Sequence, residues 1–269
     1  MIIDVHTHIS IYENNVSSLD EAYDLLCQMM NDTNVQYALV IPDNEDDVPT
    51  IAGFQRAQEL TKENKRIFLI GSPQILGKAT SELNFFRSLF ENNTIYGLKF
   101  FCGHDDYYPN DERCMPYYEL CQELGYPVVF HTGENSEDSE CAKYNDPKYI
   151  VEVAQKFPKL KCVIAHFFWP KIDYCYDLTK NVPNIYFDLA GTADEEVITK
   201  SGGWEKMQSV LSQVVRDRPS NVIYGTDWPM CEVQRHMRMV EEIAPDEATR
   251  QKIFAHNAIR VYRLPVQAE

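Results

Sequence analysis

Eight short apolar runs, each followed by a helical pattern, constrain this chain more than any other feature. They cover residues 2–6, 35–42, 66–73, 95–101, 127–133, 161–167, 185–191 and 222–229. Their starts lie about 24 to 37 residues apart, the length of a strand plus a crossover helix. Several are apolar on both sides, as in Val128-Val129-Phe130 and Cys162-Val163-Ile164-Ala165, which suits parallel strands covered on both faces. Ser18-x-x-Glu21 forms a capping box ahead of the stripe Ala22, Leu25, Leu26 and Met29. Asp146-Pro147 supplies an N-cap and a first-turn proline before Ile150, Val151, Val153 and Ala154. Further helices are expected over 50–63, 80–92, 111–124, 174–181, 204–217 and 232–243, with a closing helix over 246–262. Strict alternation with no charge-run linker predicts a single-domain (β/α)8 TIM barrel over residues 1–269. An open doubly wound sheet is the competing topology, but the chain carries neither GxGxxG nor a Walker loop.

In such a barrel the strand C-termini converge on one mouth, so polar residues at those ends matter most. His6, His8, His131 and His166, four of the seven histidines, end predicted strands 1, 5 and 6. Asp227 closes strand 8, and Lys99 lies near the end of strand 4. His6 and His8 are two apart on a strand, so they point the same way, roughly 6.5 to 7 Å apart along the backbone, and can close on one ion. Asp4 shares that face one step deeper. Each residue alone has a structural explanation: a packed histidine, a turn aspartate before Trp228-Pro229, a snorkelling lysine. Their joint placement at one end of five strands favours a site. His104, His236 and His256 fall in a loop or in helices and read as surface or packing residues.

The formal charge is -16. It argues against a polyanionic partner, because phosphates are held by clustered Lys and Arg; nucleic acid and acidic membranes are not expected. The eight cysteines show no CxxC pair and read as reduced core residues of a cytoplasmic protein. The chain begins directly with a strand pattern, so no signal peptide is expected, and no run reaches membrane-helix length.

The ordered motifs Asp4-Val5-His6-Thr7-His8, Gly97-Leu98-Lys99, Pro127-Val128-Val129-Phe130-His131-Thr132-Gly133, Val163-Ile164-Ala165-His166, Tyr186-Phe187-Asp188-Leu189-Ala190-Gly191, Tyr224-Gly225-Thr226-Asp227-Trp228-Pro229 and Ala255-His256-Asn257-Ala258-Ile259-Arg260 resemble the amidohydrolase superfamily. The likeness is to its amidohydrolase-related group, which includes aminocarboxymuconate-semialdehyde decarboxylase. That resemblance implies a divalent metal, usually zinc, held by His6, His8, His131 and Asp227, with His166 facing substrate or bound water. Three neutral imidazoles and one carboxylate leave a positive centre able to lower the pKa of zinc-bound water from about 9 to about 7. Asp227 is then the proton acceptor, and His166 polarises a carbonyl or steadies an oxyanion. Asp4 is a candidate acceptor for a ligand imidazole or for Lys99. Lys99 is a fork: a carbamate bridging two metals, or an ammonium that binds an acidic substrate group.

The loops after the strands should carry specificity. Tyr107, Tyr108, Glu134, Asn135, Phe168, Trp169 and Trp228 are the candidate pocket residues, with Lys99, Arg113 and Lys171 available to a carboxylated substrate. The expected activity is metal-dependent hydrolysis of a small-molecule amide, ester or lactone. Non-oxidative decarboxylation of an unsaturated or aromatic acid is the alternative within the fold. A ligand-binding barrel without chemistry is the alternative outside enzymology. Relatives often form homodimers, which the residues leave open.

Overall fold

The computed structural model describes residues 1–12, 16–45, 48–135 and 138–267. Eight parallel strands follow one another in sequence order around a single sheet: β1 (Ile3–Thr7), β2 (Tyr37–Val40), β3 (Ile67–Gly71), β4 (Ile95–Phe100), β5 (Pro127–Phe130), β6 (Lys161–Ala165), β7 (Ile185–Asp188) and β8 (Val222–Ile223). The sheet closes on itself through backbone bonds from Val5 N to Tyr224 O (3.1 Å), Asp227 N to His6 O (2.9 Å) and His8 N to Trp228 O (2.8 Å). The (β/α)8 barrel read from the spacing is therefore the fold. Every residue of β3, β4 and β5 is buried, as strands sandwiched between barrel interior and helices must be.

The helices are α1 (Leu19–Asp32), α2 (Phe54–Thr61), α3 (Leu83–Glu91), α4 (Met115–Leu124), α5 (Pro147–Lys156), α6 (Ile172–Thr179), α7 (Glu195–Lys200), α8 (Trp204–Asp217), α9 (Val233–Ile243), α10 (Glu247–Gln251) and α11 (Asn257–Tyr262). Ser18 caps α1 by accepting from Glu21 N at 3.2 Å, but the return bond of Glu21 goes to Ser17 N at 2.8 Å, one residue earlier than the capping box expects. Asp146 caps α5 as expected, accepting from Lys148 N. The short α7, capped by Asp194, has too few residues to show a period and was not expected. The closing helix is divided by a wide, π-helical turn over Lys252–His256. It still anchors β8: Tyr224 N donates to Ile253 O, and the Asn257 amide donates to Pro219 O and Val222 O.

Except for β1, the strands are shorter than their apolar runs, and the difference lies mostly at the C-terminal ends. β8 keeps 2 residues in the ladder, because the chain from Gly225 onward turns to present Asp227 with φ 72°. β6 ends at Ala165, where the chain enters a left-handed turn. Residues just past the ladder, such as His8, His131, His166 and Asp227, join the last strand residues at the mouth. All eight cysteines are free thiols. Among the described residues no helix is long and apolar enough to cross a membrane.

Candidate active site and metal centre

β1 brings His6 and His8 to the mouth, and the turn after β8 brings Asp227 between them. Asp227 Oδ1 lies 3.4 Å from His6 Nε2 and 3.2 Å from His8 Nε2, and the three ligand atoms fall within 4.8 Å of one another. What the other ring nitrogens do decides the chemistry. His8 Nδ1 faces the carbonyl of Ile41 at 2.8 Å, which can only accept, so that nitrogen carries the proton. His6 Nδ1 donates to Asp188 Oδ2 at 2.6 Å. A neutral imidazole has one N–H, so both Nε2 lone pairs face a carboxylate oxygen with no hydrogen between them. A cation in the gap, proton or metal, relieves that crowding, and the donor set of imidazoles and carboxylate suits zinc-like ions.

Asp188 is the residue that sequence reasoning missed. It ends β7, as the other site residues end or follow their strands, and its motif alone gives it no role. Burial pushes its carboxyl up to about 6, so at neutral pH it remains a carboxylate that fixes the His6 tautomer. Gly225 makes room for it, since a Cβ there would lie 2.2 Å from Asp188 Oδ1 and 3.0 Å from His6 Cβ. Asp4 does not take the role expected of it. Its Oδ1 accepts from His6 N and Thr226 N, and its Oδ2 accepts from Thr226 Oγ1 at 2.6 Å. It joins β1 to the segment after β8, its oxygens taken by those groups rather than by a ligand imidazole, and burial raises its pKa to about 7.

Lys99 Nζ approaches His6 Nε2 at 3.4 Å and lies over the Phe101 ring. Burial brings it down to about 8, against the pull of Asp227 and Asp188. Burial, with the Lys99 ammonium, holds His6 well below the usual histidine range. Burial works against the Asp227 carboxylate, yet the facing imidazoles of His166, His8 and His6 outweigh it and keep its pKa well below the ordinary value. Burial thus disfavours the charged form of His6 beside an ionised Asp227 carboxylate.

His131 follows β5, but not within the group formed by His6, His8 and Asp227. Its Nε2 is buried with no hydrogen-bond partner among the described residues, an orphan that costs about 1–3 kcal/mol unless something binds it. The His166 ring stands between those of His6 and His131, with centroids 4.8 and 4.9 Å away. His166 Nδ1 lies 3.1 Å from Ala190 O and 3.9 Å from Asp227 Oδ2, and burial lowers its pKa to about 3. With Nδ1–H given to the carbonyl, Nε2 is a lone pair. A ring in that tautomer accepts a hydrogen bond at Nε2.

His166, Phe167 and Phe168 all adopt left-handed backbone, with φ of 62°, 56° and 55°. Each such non-glycine residue costs about 1–2 kcal/mol, strain of the kind concentrated where function requires a particular side-chain position. His104, expected only to be a surface or packing residue, is exposed on the loop after β4, but its ring packs edge-on against His131 at 4.3 Å. No periodicity could have marked it. His236 is a packing residue as expected, buried and accepting from Ala193 N.

The rim residues separate. Glu134 faces Lys200 at 3.8 Å, and Lys200 lies over the Trp169 ring. Glu134, Phe168, Trp169 and Lys171 line a cavity of about 260 Å³. Tyr108 is exposed, but its ring stacks on Tyr144 and Tyr149. Tyr107 is fully buried, its hydroxyl without a partner among the described residues. Trp228 gives its carbonyl to His8 N. Asn135 pairs with Asp138 through the backbone. Arg113 is held by both carboxylate oxygens of Asp111.

Over 151 residues the chain is 23% identical to L-rhamnono-gamma-lactonase of Scheffersomyces stipitis, a match covering 44% of this chain and 45% of that protein. The matched stretch is thus less than half of the curated relative. Two solved structures share the fold along nearly all of both chains. A probable 2-pyrone-4,6-dicarboxylic acid hydrolase from Acinetobacter baumannii is 14% identical with a TM-score of 0.68, covering 98% of this chain and 99% of its own. The 5-carboxyvanillate decarboxylase of Sphingomonas paucimobilis is also 14% identical, with a TM-score of 0.66 and the same coverage. A family model described as amidohydrolase matches residues 3–264. Spanning nearly the whole barrel and every strand end described above, that match makes the chain a member of the amidohydrolase family.

Proposed function

We propose that this protein is a metal-dependent hydrolase acting on a small-molecule lactone, ester or amide. The observation that carries this reading is the convergence of His6 Nε2, His8 Nε2 and Asp227 Oδ1, the two nitrogens turned to the carboxylate by the partners that their Nδ1 atoms meet. The orphaned His131 Nε2 supports it. These four side chains would hold one divalent ion, for which zinc is the best chemical match. When bound, the ion supplies Lewis acidity toward a carbonyl and a lowered pKa for water.

The chain's own residues do the rest. Asp227 turns Oδ1 toward His6 and His8, leaving Oδ2 toward His166 to take the proton of the attacking water. His166, neutral at working pH, accepts at Nε2 and orients that water or a substrate hydroxyl. Lys99 as an ammonium binds negative charge on the substrate or on the developing oxyanion. His104 covers the His131 side of the mouth. The free thiols suit a reducing compartment such as the cytoplasm, and a small molecule is the partner that a net charge of -16 leaves most open.

The lactonase match over part of the chain supports the choice of lactones first. Lys99 favours one second reading, decarboxylation of an aromatic acid, because its buried ammonium could receive a carboxylate beside the imidazoles, and a decarboxylase shares the fold. Zinc-loaded protein should open sugar lactones or aryl esters with release of acid, read by a pH indicator. Release of carbon dioxide from hydroxybenzoic acids without any turnover of the first panel would overturn the hydrolase reading.

A further inference from the structure

Thr132 follows His131 directly and is fully buried. Its hydroxyl donates to Ala165 O at 2.5 Å and accepts from Phe168 N at 2.9 Å. These two groups bracket His166, whose turn is left-handed at three successive non-glycine residues. The backbones on either side are also close: Glu134 N donates to Trp169 O at 3.1 Å, and a Cβ on Gly133 would lie 2.7 Å from that same oxygen. Left-handed backbone in ordinary residues persists only where the surroundings over-determine it. Within the turn, Trp169 N donates to His166 O at 3.2 Å, a single weak bond that by itself is too little to hold three such residues.

We propose that Thr132 is a positioning residue for His166. Its hydroxyl locks the left-handed turn, and with it the His166 ring in the place between His6 and His131 where Nδ1 meets Ala190 O. Because Thr132 adjoins His131, one hydroxyl ties a residue of the proposed ligand set to the residue that receives the reacting water. The proposal deepens the hydrolase reading and rests on it for the kinetic part only.

The test compares Thr132→Val, which keeps the shape and removes the hydroxyl, with Thr132→Ser, which keeps the hydroxyl. In the valine variant kcat should fall about 10- to 100-fold, as for other supporting partners of site residues, while KM and zinc per chain remain within twofold of wild type. The serine variant should recover kcat to within threefold. Independently of any activity, nitrogen–proton NMR should show the Nδ1–H signal of His166 in wild type and serine protein and its loss to solvent exchange in the valine protein. An intact signal in Thr132→Val overturns the proposal, as does a kcat loss matched by equal loss of zinc. If Thr132→Val gives no folded protein, Thr132→Cys, with its weak donor, is read the same way. A wild type inactive on every substrate would remove the hydrolase reading, and the NMR comparison would still decide the role of Thr132.

Discussion

The two ends of this barrel are built on opposite terms. Around the N-terminal ends of β2 to β5, Tyr37, Phe68, Tyr96, Tyr126 and Phe90 pass ring to ring, at centroid distances of 5.8, 5.0, 6.4 and 4.6 Å. These are apolar contacts of the kind that stabilise a fold. At the C-terminal ends, imidazoles and carboxylates are buried with lone pairs opposed, one ring nitrogen is orphaned, and His166 to Phe168 and Asp227 take left-handed backbone. One end contributes stability, and the other consumes it to hold chemistry in place. The contrast follows from the fold, since only the strand C-termini open into a mouth that several loops can complete.

Substitutions at the two ends should therefore separate activity from stability. The largest effect belongs to Asp227→Asn, which removes both the central oxygen charge and the proton acceptor. Turnover should fall roughly 10³-fold or more, and zinc per chain should fall with it. Retention of full activity would move the chemistry elsewhere. At the other end, Phe90→Ala removes a ring that is 2% exposed and should cost about 3–5 kcal/mol of unfolding free energy in denaturant titration. Its kcat should stay within twofold of wild type, and a large kcat loss would blur the division.

Asp188→Asn tests the support of His6. It should weaken zinc binding about 10- to 100-fold in competition with a chelator, with little change in the metal-free melting temperature. His131→Leu removes the orphan at the mouth, so the metal-free variant should be more stable than wild type by about 1–3 kcal/mol although inactive. A less stable variant would show that the nitrogen is satisfied in solution.

The most gradual effect is a pH dependence, spread over several pH units. His166 has a folded pKa of about 3 against an ordinary 6.5. Between those values the unfolded chain binds the additional proton, so the stability due to this residue is complete above pH 6.5 and is lost as pH falls toward 3. Melting temperatures of metal-free wild type should therefore drop relative to His166→Gln over that interval, and parallel curves would contradict the assignment.

Much of the site was legible because strand ends are legible. The spacing of two places His6 and His8 together, and closing strand 8 brings Asp227 to the same mouth. Asp188 could have been found by the same rule, but nothing in its run distinguishes a carboxylate that meets His6 from one that caps a turn. Asp4 was misassigned because depth in a barrel is not visible in a sequence: one strand step moved it from the imidazoles to Thr226. His104 lies in a loop without periodicity, where only folding could bring it against His131.

The sequence by itself pointed to the barrel: alternating apolar runs and amphipathic helices leave it and an open doubly wound sheet as ways to cover both faces of the strands, and the absence of GxGxxG and Walker loops favours the closed form. It also determined which residue types stand at the mouth. Tertiary structure alone decided which nitrogen carries each proton, because that depends on the acceptor each ring meets: Ile41 for His8, Asp188 for His6, Ala190 for His166. Those partners lie 33, 182 and 24 residues away along the chain, and hydrogen bonding acts over ångströms in space, for which distance along the sequence is no guide.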